Sequence, residues 1–188
     1  GYDNPEHNAC AMNAVITNKG NFLIADTYVI HDPTAEQIAR NTLLCAREIK
    51  RFGIHPKVAL VSNSNFGSHV DKDSTKMQQA LELLREWDPE LEVDGEMQAD
   101  LALDDELRKQ TFPETTLHGA ANLLMLPNVE AANISYNLMR VHATNGITVG
   151  PILMGMDKPV HIITPQSTVR RIVNMVALTA VDAQLWGK

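Results

Sequence analysis

A chain of 188 residues is long enough to bury a core of its own, and 44% apolar residues give it a globular rather than a disordered composition. Acids outnumber bases by 23 to 16, and a net charge of −7 without any basic run counts against general nucleic-acid binding. No apolar stretch approaches the roughly 18 residues of a membrane span, and no secretory leader is visible. The two cysteines, Cys10 and Cys45, lack metal spacing, so the expected setting is cytoplasmic with both thiols reduced and buried.

Gly1-Tyr2-Asp3-Asn4-Pro5 opens abruptly, as expected of a piece of something longer. Cys10–Thr17 and Phe22–Thr27 are apolar and β-favouring, and Asn18-Lys19-Gly20-Asn21 between them reads as a hairpin turn. Asp32-Pro33-Thr34 then opens a helix with Ile38, Ala39, Ala46, Ile49 and Phe52 inward, and Gly53 stops it. Val58–Val61 is a short apolar run between Pro56 and Ser62, the pattern of a strand buried on both faces. It empties into the small polar loop Ser62-Asn63-Ser64-Asn65-Phe66-Gly67-Ser68, where α/β folds hold ligands and where ordinary connections are also polar.

Asp73–Trp87 is an amphipathic helix with Met77, Leu81, Leu84 and Trp87 on one face. Leu91–Val93 and Asp94-Gly95 follow, then the acids Asp100, Asp104, Asp105 and Glu106, read as helix-start acids because no histidine completes a metal shell. Leu123–Leu126 is a second buried strand, ended by Pro127. Asn128 caps the next helix, with Ala132, Ser135, Leu138 and Met139 inward and a turn over Ala143-Thr144-Asn145 behind it. The seven histidines (7, 31, 55, 69, 118, 142 and 161) assemble no catalytic or metal pair by spacing. Gly146, Gly150 and Gly155 form no dinucleotide fingerprint, so NADP has no visible site in this chain.

The closing stretch organises the rest. Gly150-Pro151-Ile152-Leu153-Met154-Gly155-Met156-Asp157-Lys158-Pro159-Val160-His161 reads as a loop and a short strand. A helix follows, capped by Thr164 or Ser167, with Val169, Ile172, Val173, Val176, Ala180 and Val181 as its apolar face. Such a helix start favours an anion. The segment resembles the Gly-Pro-x-Leu-x-Gly-x-x-Lys-Pro-Val run of phosphotransacetylases, which exchange acetyl between coenzyme A and phosphate. The similarity runs from about Val15 to Gln184 through Asp26, Pro33–Gln37, Val58–Ser62, Val93–Gln98 and Asn133–Tyr136, and corresponds to about half of the family's domain.

Catalytic members carry Ser-Arg and, several residues on, an Asp taken as the thiol's base; here those positions read Thr164, Pro165 and Arg171. Proline holds no phosphate and arginine accepts no proton. That pattern is similar to the phosphotransacetylase-like C-terminal domain of large bacterial NADP-dependent malic enzymes, which is regulatory and binds acetyl-CoA.

The expected fold is a three-layer α/β/α with a mixed, mainly parallel sheet, of the isocitrate/isopropylmalate dehydrogenase-like architecture. The resemblance implies that residues 1–149 form an inner, dimerising lobe and that residues 150–188 belong to the outer lobe. It further implies a non-catalytic, acetyl-CoA-sensing regulatory and oligomerisation domain, at least dimeric, without acetyl transfer of its own. The malic enzyme domain upstream would hold NADP and a divalent metal. The effector's residues would be Ser62, Asn63, Ser64 and Asn65 of the loop, Tyr136 and Arg140 of the helix, and Gly150, Pro151, Lys158, Thr164 and Arg171 of the closing stretch. Arg140 would serve one residue out of step with the family's lysine, since Asn137 stands there. The alternatives are an active phosphate acetyltransferase or butyryltransferase, and a structural dimer module without ligand.

Overall fold

Asn18 and Lys19 form the turn that pairs β1 (Cys10–Thr17) with β2 (Gly20–Ala25), and Gly20 takes the positive φ of 143° that closes it. The computed structural model describes residues 1–3, 7–143 and 147–185; Thr144 and Asn145 of the expected turn, and Gly146, lie outside them. Helix α1 (Ala35–Arg51) begins at a reciprocal cap, in which Thr34 and Gln37 each accept the other's backbone N–H. Strand β3 (Lys57–Val61), helix α2 (Lys72–Trp87) and strand β4 (Glu92–Met97) follow. After the short helices α3 (Ala99–Leu103) and α4 (Asp105–Thr111) come β5 (Leu123–Met125), α5 (Val129–Arg140), β6 (Thr148–Met154) and α6 (Val169–Leu185).

The six strands make one sheet in the order β4-β3-β5-β2-β1-β6. The β4-β3, β3-β5 and β5-β2 pairs are parallel, while β1 is antiparallel to both β2 and β6, so β1 alone runs against the other five. Strand residues alternate between two cores. Leu23, Val58, Leu60, Leu123 and Met125 meet α1 and α2 through Ile38, Ile49, Met77 and Leu84, whereas Ile24, Ala59, Val61 and Leu124 meet α3 and α5 through Leu101, Ala102, Ala132 and Tyr136. Each large apolar side chain removed from water contributes about 1.5–3 kcal/mol, and helices on both faces make the sheet the middle of three layers.

Several sequence expectations shift. Strand β4 continues to Met97 through Asp94, Gly95 and Glu96, because these polar residues are buried and bonded. Asp94 accepts from Thr115 Oγ1 at 2.7 Å and Thr116 N at 2.8 Å, and Gly95 is required where a Cβ would lie 2.7 Å from the Leu60 carbonyl oxygen. In the acidic stretch, Asp104 caps α4, and Asp105 pairs with Lys109 and with Arg108 at 2.7 Å. Arg108 is fully buried and also donates to the carbonyls of Leu101, Leu117 and Gly119. Phe52 caps α1 in solvent rather than packing inward, and Trp87 lies half-exposed under the Arg40 guanidinium at 5.0 Å. In α5 Ala132 and Tyr136 are buried and Met139 packs partly buried against the same core, whereas Leu138 points out with 64% exposure.

Helix α6 departs most. The expected apolar face, Val169, Ile172, Val173, Val176, Ala180 and Val181, faces away from the sheet; Met175 and Asp182 are its buried residues. Periodicity locates an apolar stripe but does not say which side the sheet takes. The start is displaced too. Thr164 and Ser167 form a turn among themselves, and Thr168 Oγ1 accepts the Arg171 N–H at 3.2 Å as the cap. No helix among the described residues is long and apolar enough to cross a membrane.

Candidate functional site

Three basic side chains converge where α5 ends, β6 begins and α6 begins. Arg140, Arg170 and Arg171 line a cavity of about 180 Å³ with Ile147, Thr148, Gln166, Thr168 and Asn174, and among the described residues no carboxylate shares the lining. In a chain of net charge −7 this is a local excess of positive charge. Arg140 reaches it as the last residue of α5, with its guanidinium 5.8 Å from the Tyr136 ring centroid. Arg171 reaches it from the first turn of α6, a 17-residue helix whose N-terminal dipole adds to the field.

The Arg171 guanidinium is fixed at one end and open at the other. Its Nε donates to the Gly150 carbonyl oxygen at 2.7 Å, while its buried Nη2 has no partner among the described residues. A buried charged donor left unpaired costs more than about 1–3 kcal/mol, so an acceptor at that atom has a large effect. Gly150 holds the other side of the contact. It has a φ of +125°, and a Cβ there would meet Asn13 Oδ1 at 2.7 Å and the Met12 carbonyl oxygen at 2.8 Å. Asn13, which the sequence reading passed over, is fully buried and donates to Thr27 Oγ1 at 2.7 Å. The available signal was an amide inside an otherwise apolar strand.

The remaining candidates fall elsewhere. Ser62 and Asn63 line a second cavity, of about 340 Å³, with Asp71, Asp73, Leu126 and Asn128. Their loop spends its polar groups on itself and its neighbours: Ser62 Oγ accepts from Ser64 N, Ser64 Oγ from His69 N, and Asn65 Oδ1 from Gln98 N. Ser62 follows the end of β3, whereas Thr148 opens β6, which runs the same way four places along the sheet. The two cavities therefore lie at opposite ends of the strands and further apart than the four strand spacings of roughly 19 Å. Tyr136 is buried in the core with its hydroxyl unpaired among the described residues, and does not line the Arg cavity. Pro151 is buried in β6, and Thr164 sits in the turn before α6. Lys158 borders a small cavity with His161 and Asp182, where burial pushes the His161 imidazole below its usual range against the upward pull of Asp182.

Another cavity, of about 1070 Å³, lies between the β1–β2 turn and the α3–α4 junction. Its rim carries Asp100, Asp104, Asp105 and Glu106, the wrong sign for an anionic substrate, and two of these are engaged as cap and ion pair. Among the described residues no group of three His, Cys, Asp or Glu side chains could hold a metal.

Comparison with known proteins agrees with this architecture. The family model described as phosphate acetyl/butaryl transferase matches residues 4–180. The chain is 56% identical to an NADP-dependent malic enzyme of Escherichia coli over 98% of its own length and 24% of that protein's. It is 38% identical to a phosphate acetyltransferase of Corynebacterium glutamicum, over 84% of this chain and 48% of that one. A solved phosphotransacetylase from Streptococcus pyogenes superposes with a TM-score of 0.86 at 29% identity, covering 94% of this chain and 54% of that chain. The chain thus spans about a quarter of that malic enzyme and about half of these two transferases.

These relatives correct one expectation. A non-catalytic, acetyl-CoA-sensing regulatory domain was expected, yet the matched family, the solved fold and the transferases that share it are named for acyl transfer. The alternative reading, an active phosphate acyltransferase, is the better account. The regulatory reading rested on Pro165 and Arg171 standing where catalytic members carry an arginine and an aspartate. Arg171 itself lines the cavity, with its Nε bonded to the Gly150 carbonyl.

Proposed function

The chain belongs to the phosphate acetyl/butaryl transferase family, and from that membership we propose that it forms part of a domain transferring an acyl group between coenzyme A and phosphate. The observation that carries this is the buried, unpartnered Nη2 of Arg171 in a cavity that Arg140 and Arg170 also line. A phosphate oxygen attacks the thioester carbonyl carbon; the C–O bond forms, the C–S bond breaks, and the sulfur leaves as thiolate. Arg171 binds the anionic substrate by a charge-assisted bond, and the neighbouring arginines lower the repulsion between phosphate and the developing oxyanion. An ordinary thiol has a pKa of about 8.5, so its anion departs without a carboxylate at position 171.

In the same reading residues 1–149 form the inner, dimerising lobe, and residues 150–188 belong to the outer lobe, whose remainder is supplied by chain outside these residues. The outward valines of α6 are then the surface that lobe covers. The whole protein is a malic enzyme, as its relatives are named; its upstream part holds NADP and a divalent metal, and it assembles as a homo-oligomer. The chain's own ligand is acetyl-CoA or a related CoA ester, taken as substrate.

The test uses the full-length protein with acetyl-CoA and inorganic phosphate. Phosphate-dependent release of free thiol, with acetyl phosphate seen by phosphorus NMR, is expected at turnover within the ordinary range of ~1–10³ s⁻¹. Absence of both products overturns the reading.

A further inference from the structure

Helix α6 is held to the sheet at few points, and two of them are polar. Near its start Arg171 Nε bonds the Gly150 carbonyl. Eleven residues on, about 16 Å along the helix axis, Asp182 bonds across to the rest of the molecule. Asp182 Oδ2 lies 3.0 Å from His161 Nε2, and its Oδ1 lies 3.2 Å from Arg51 Nη2. Arg51 Nη1 reaches Glu48 Oε2 at 2.8 Å, so α1 and α6 are joined through one guanidinium. Between the two polar points Met175 is buried in the core.

The bonds to His161 fix its proton. The Leu153 backbone N–H donates to His161 Nδ1 at 3.2 Å, which leaves that nitrogen bare. Nε2 therefore carries the single proton of the neutral ring and donates it to Asp182. An imidazolium would carry a second N–H on Nδ1, pointed at the Leu153 N–H. The side chains of His161 and Asp182 are 4% and 8% exposed, so water has little room to relieve that opposition.

We propose that Asp182 is a positioning residue for Arg171, holding α6 in place through a neutral His161, and that protonation of His161 releases this end of the helix. The inference rests on the reading above that Arg171 binds the substrate anion. It adds a proton-linked control to that site, exerted 11 residues away on the same helix.

The other charges around the ring are Arg51 and Glu48 of α1, with Arg47, Lys158 and Asp3 on the same small cavity. Burial lowers the His161 pKa; Asp182 opposes this and Arg51 adds to it. The lowered value means that stability from this group is present above the ordinary value of about 6.5 and is lost as pH falls through the folded value. Glu48 acts the other way. Burial raises its pKa, Arg51 opposes the rise and Asp182 adds to it, so its contribution is present below about 4.5 and lost as pH rises. Acidification thus strains the histidine while relieving the glutamate, and the two must be separated.

The experiment follows backbone hydrogen exchange of α6 in the full-length protein from pH 7.5 to 5.5, corrected for intrinsic chemical rates. The KM for acetyl-CoA is measured alongside. In wild type, α6 exchange is expected to accelerate at least about tenfold on acidification, with KM rising in step. His161→Gln removes the titration and should show neither change, and dividing by it cancels the titration of the substrate's own phosphates. Asp182→Asn should exchange fast at both pH values, while Glu48→Gln should keep the wild-type response. A flat wild-type exchange profile, or a His161→Gln profile that matches wild type, overturns the proposal. Loosening of α6 with an unchanged KM overturns the positioning role, and calorimetry of acetyl-CoA binding to Arg171→Glu then shows separately whether Arg171 touches substrate.

Discussion

Arg171 and Gly150 are joined side chain to backbone, Nε to carbonyl oxygen at 2.7 Å, so one of the three arginines of the cavity is aimed by a residue without a side chain. The bond uses one face of the guanidinium and leaves Nη2 for a ligand. Arg171→Glu is expected to weaken acetyl-CoA binding about tenfold or more, from the loss of one charge-assisted contact of about 1.5–3 kcal/mol. Calorimetry on both proteins, with circular dichroism as the folding control, measures it. Arg171→Lys should recover little, because an ammonium cannot bond Gly150 and the ligand in one plane.

Gly150→Ala should disturb the same contact from the other side. The new Cβ would lie 2.7 Å from Asn13 Oδ1 on a backbone held at φ +125°. A loss of about 1–3 kcal/mol in stability is expected, together with weaker acetyl-CoA binding. Urea unfolding and calorimetry read the two effects. Asn13→Ala paired with Gly150→Ala should restore part of the loss, leaving the Met12 carbonyl, 2.8 Å from the new Cβ, as the remaining obstacle.

Arg108 is a structural cation. Removing it leaves the carbonyls of Leu101, Leu117 and Gly119 and the Asp105 carboxylate without this donor in a buried site. Arg108→Met should cost about 3–5 kcal/mol, measured by denaturant midpoint. Arg108→Lys should cost nearly as much, since one ammonium cannot span acceptors arranged around a planar fork.

Asp32 bridges Lys72 and Lys76, and those two ammonium groups hold its carboxyl at about 2. Because the folded value is lowered, its contribution is present above the ordinary value of about 3.9 and is lost as pH falls through about 2. Carbon-detected NMR titration should find the Asp32 carboxyl near 2 in wild type. In Lys72→Gln/Lys76→Gln it should return to the ordinary range.

Legibility in the sequence followed how local each signal is. The hairpin was readable from Asn18-Lys19-Gly20 and the start of α1 from Asp32-Pro33-Thr34, because turn and cap chemistry involve residues a few positions apart. Strand β3 was readable because Val58–Val61 is apolar on both faces. The full length of β4 was not: Asp94 and Glu96 look solvent-facing until Thr115, Thr116 and Gly67 arrive as donors from elsewhere. Helix α6 was found but turned the wrong way, since its valines outnumber the Met175 and Asp182 that face the sheet. Arg171 emerged from the resemblance, and its nearness to Arg140 is a product of the fold. The expectation of a non-catalytic domain was overturned by the relatives, which are named for acyl transfer. A motif read position by position weighs two departures more heavily than the family and fold that the rest of the chain keeps.

The strand order has a consequence for synthesis. β1 pairs with β2 at once, but its other edge waits for β6, whose last residue lies 137 positions (154 − 17) beyond the end of β1. At ~5–20 residues per second this is roughly 7–27 s during which that edge has no partner. Cys10-Ala11-Met12-Asn13-Ala14-Val15-Ile16-Thr17 contains neither a charge nor a proline to guard it. A nascent chain of this protein therefore passes through a window in which a strand from a neighbouring ribosome can take the place reserved for β6. Slowing translation between β5 and β6 should lower the soluble yield without altering a single contact of the finished fold.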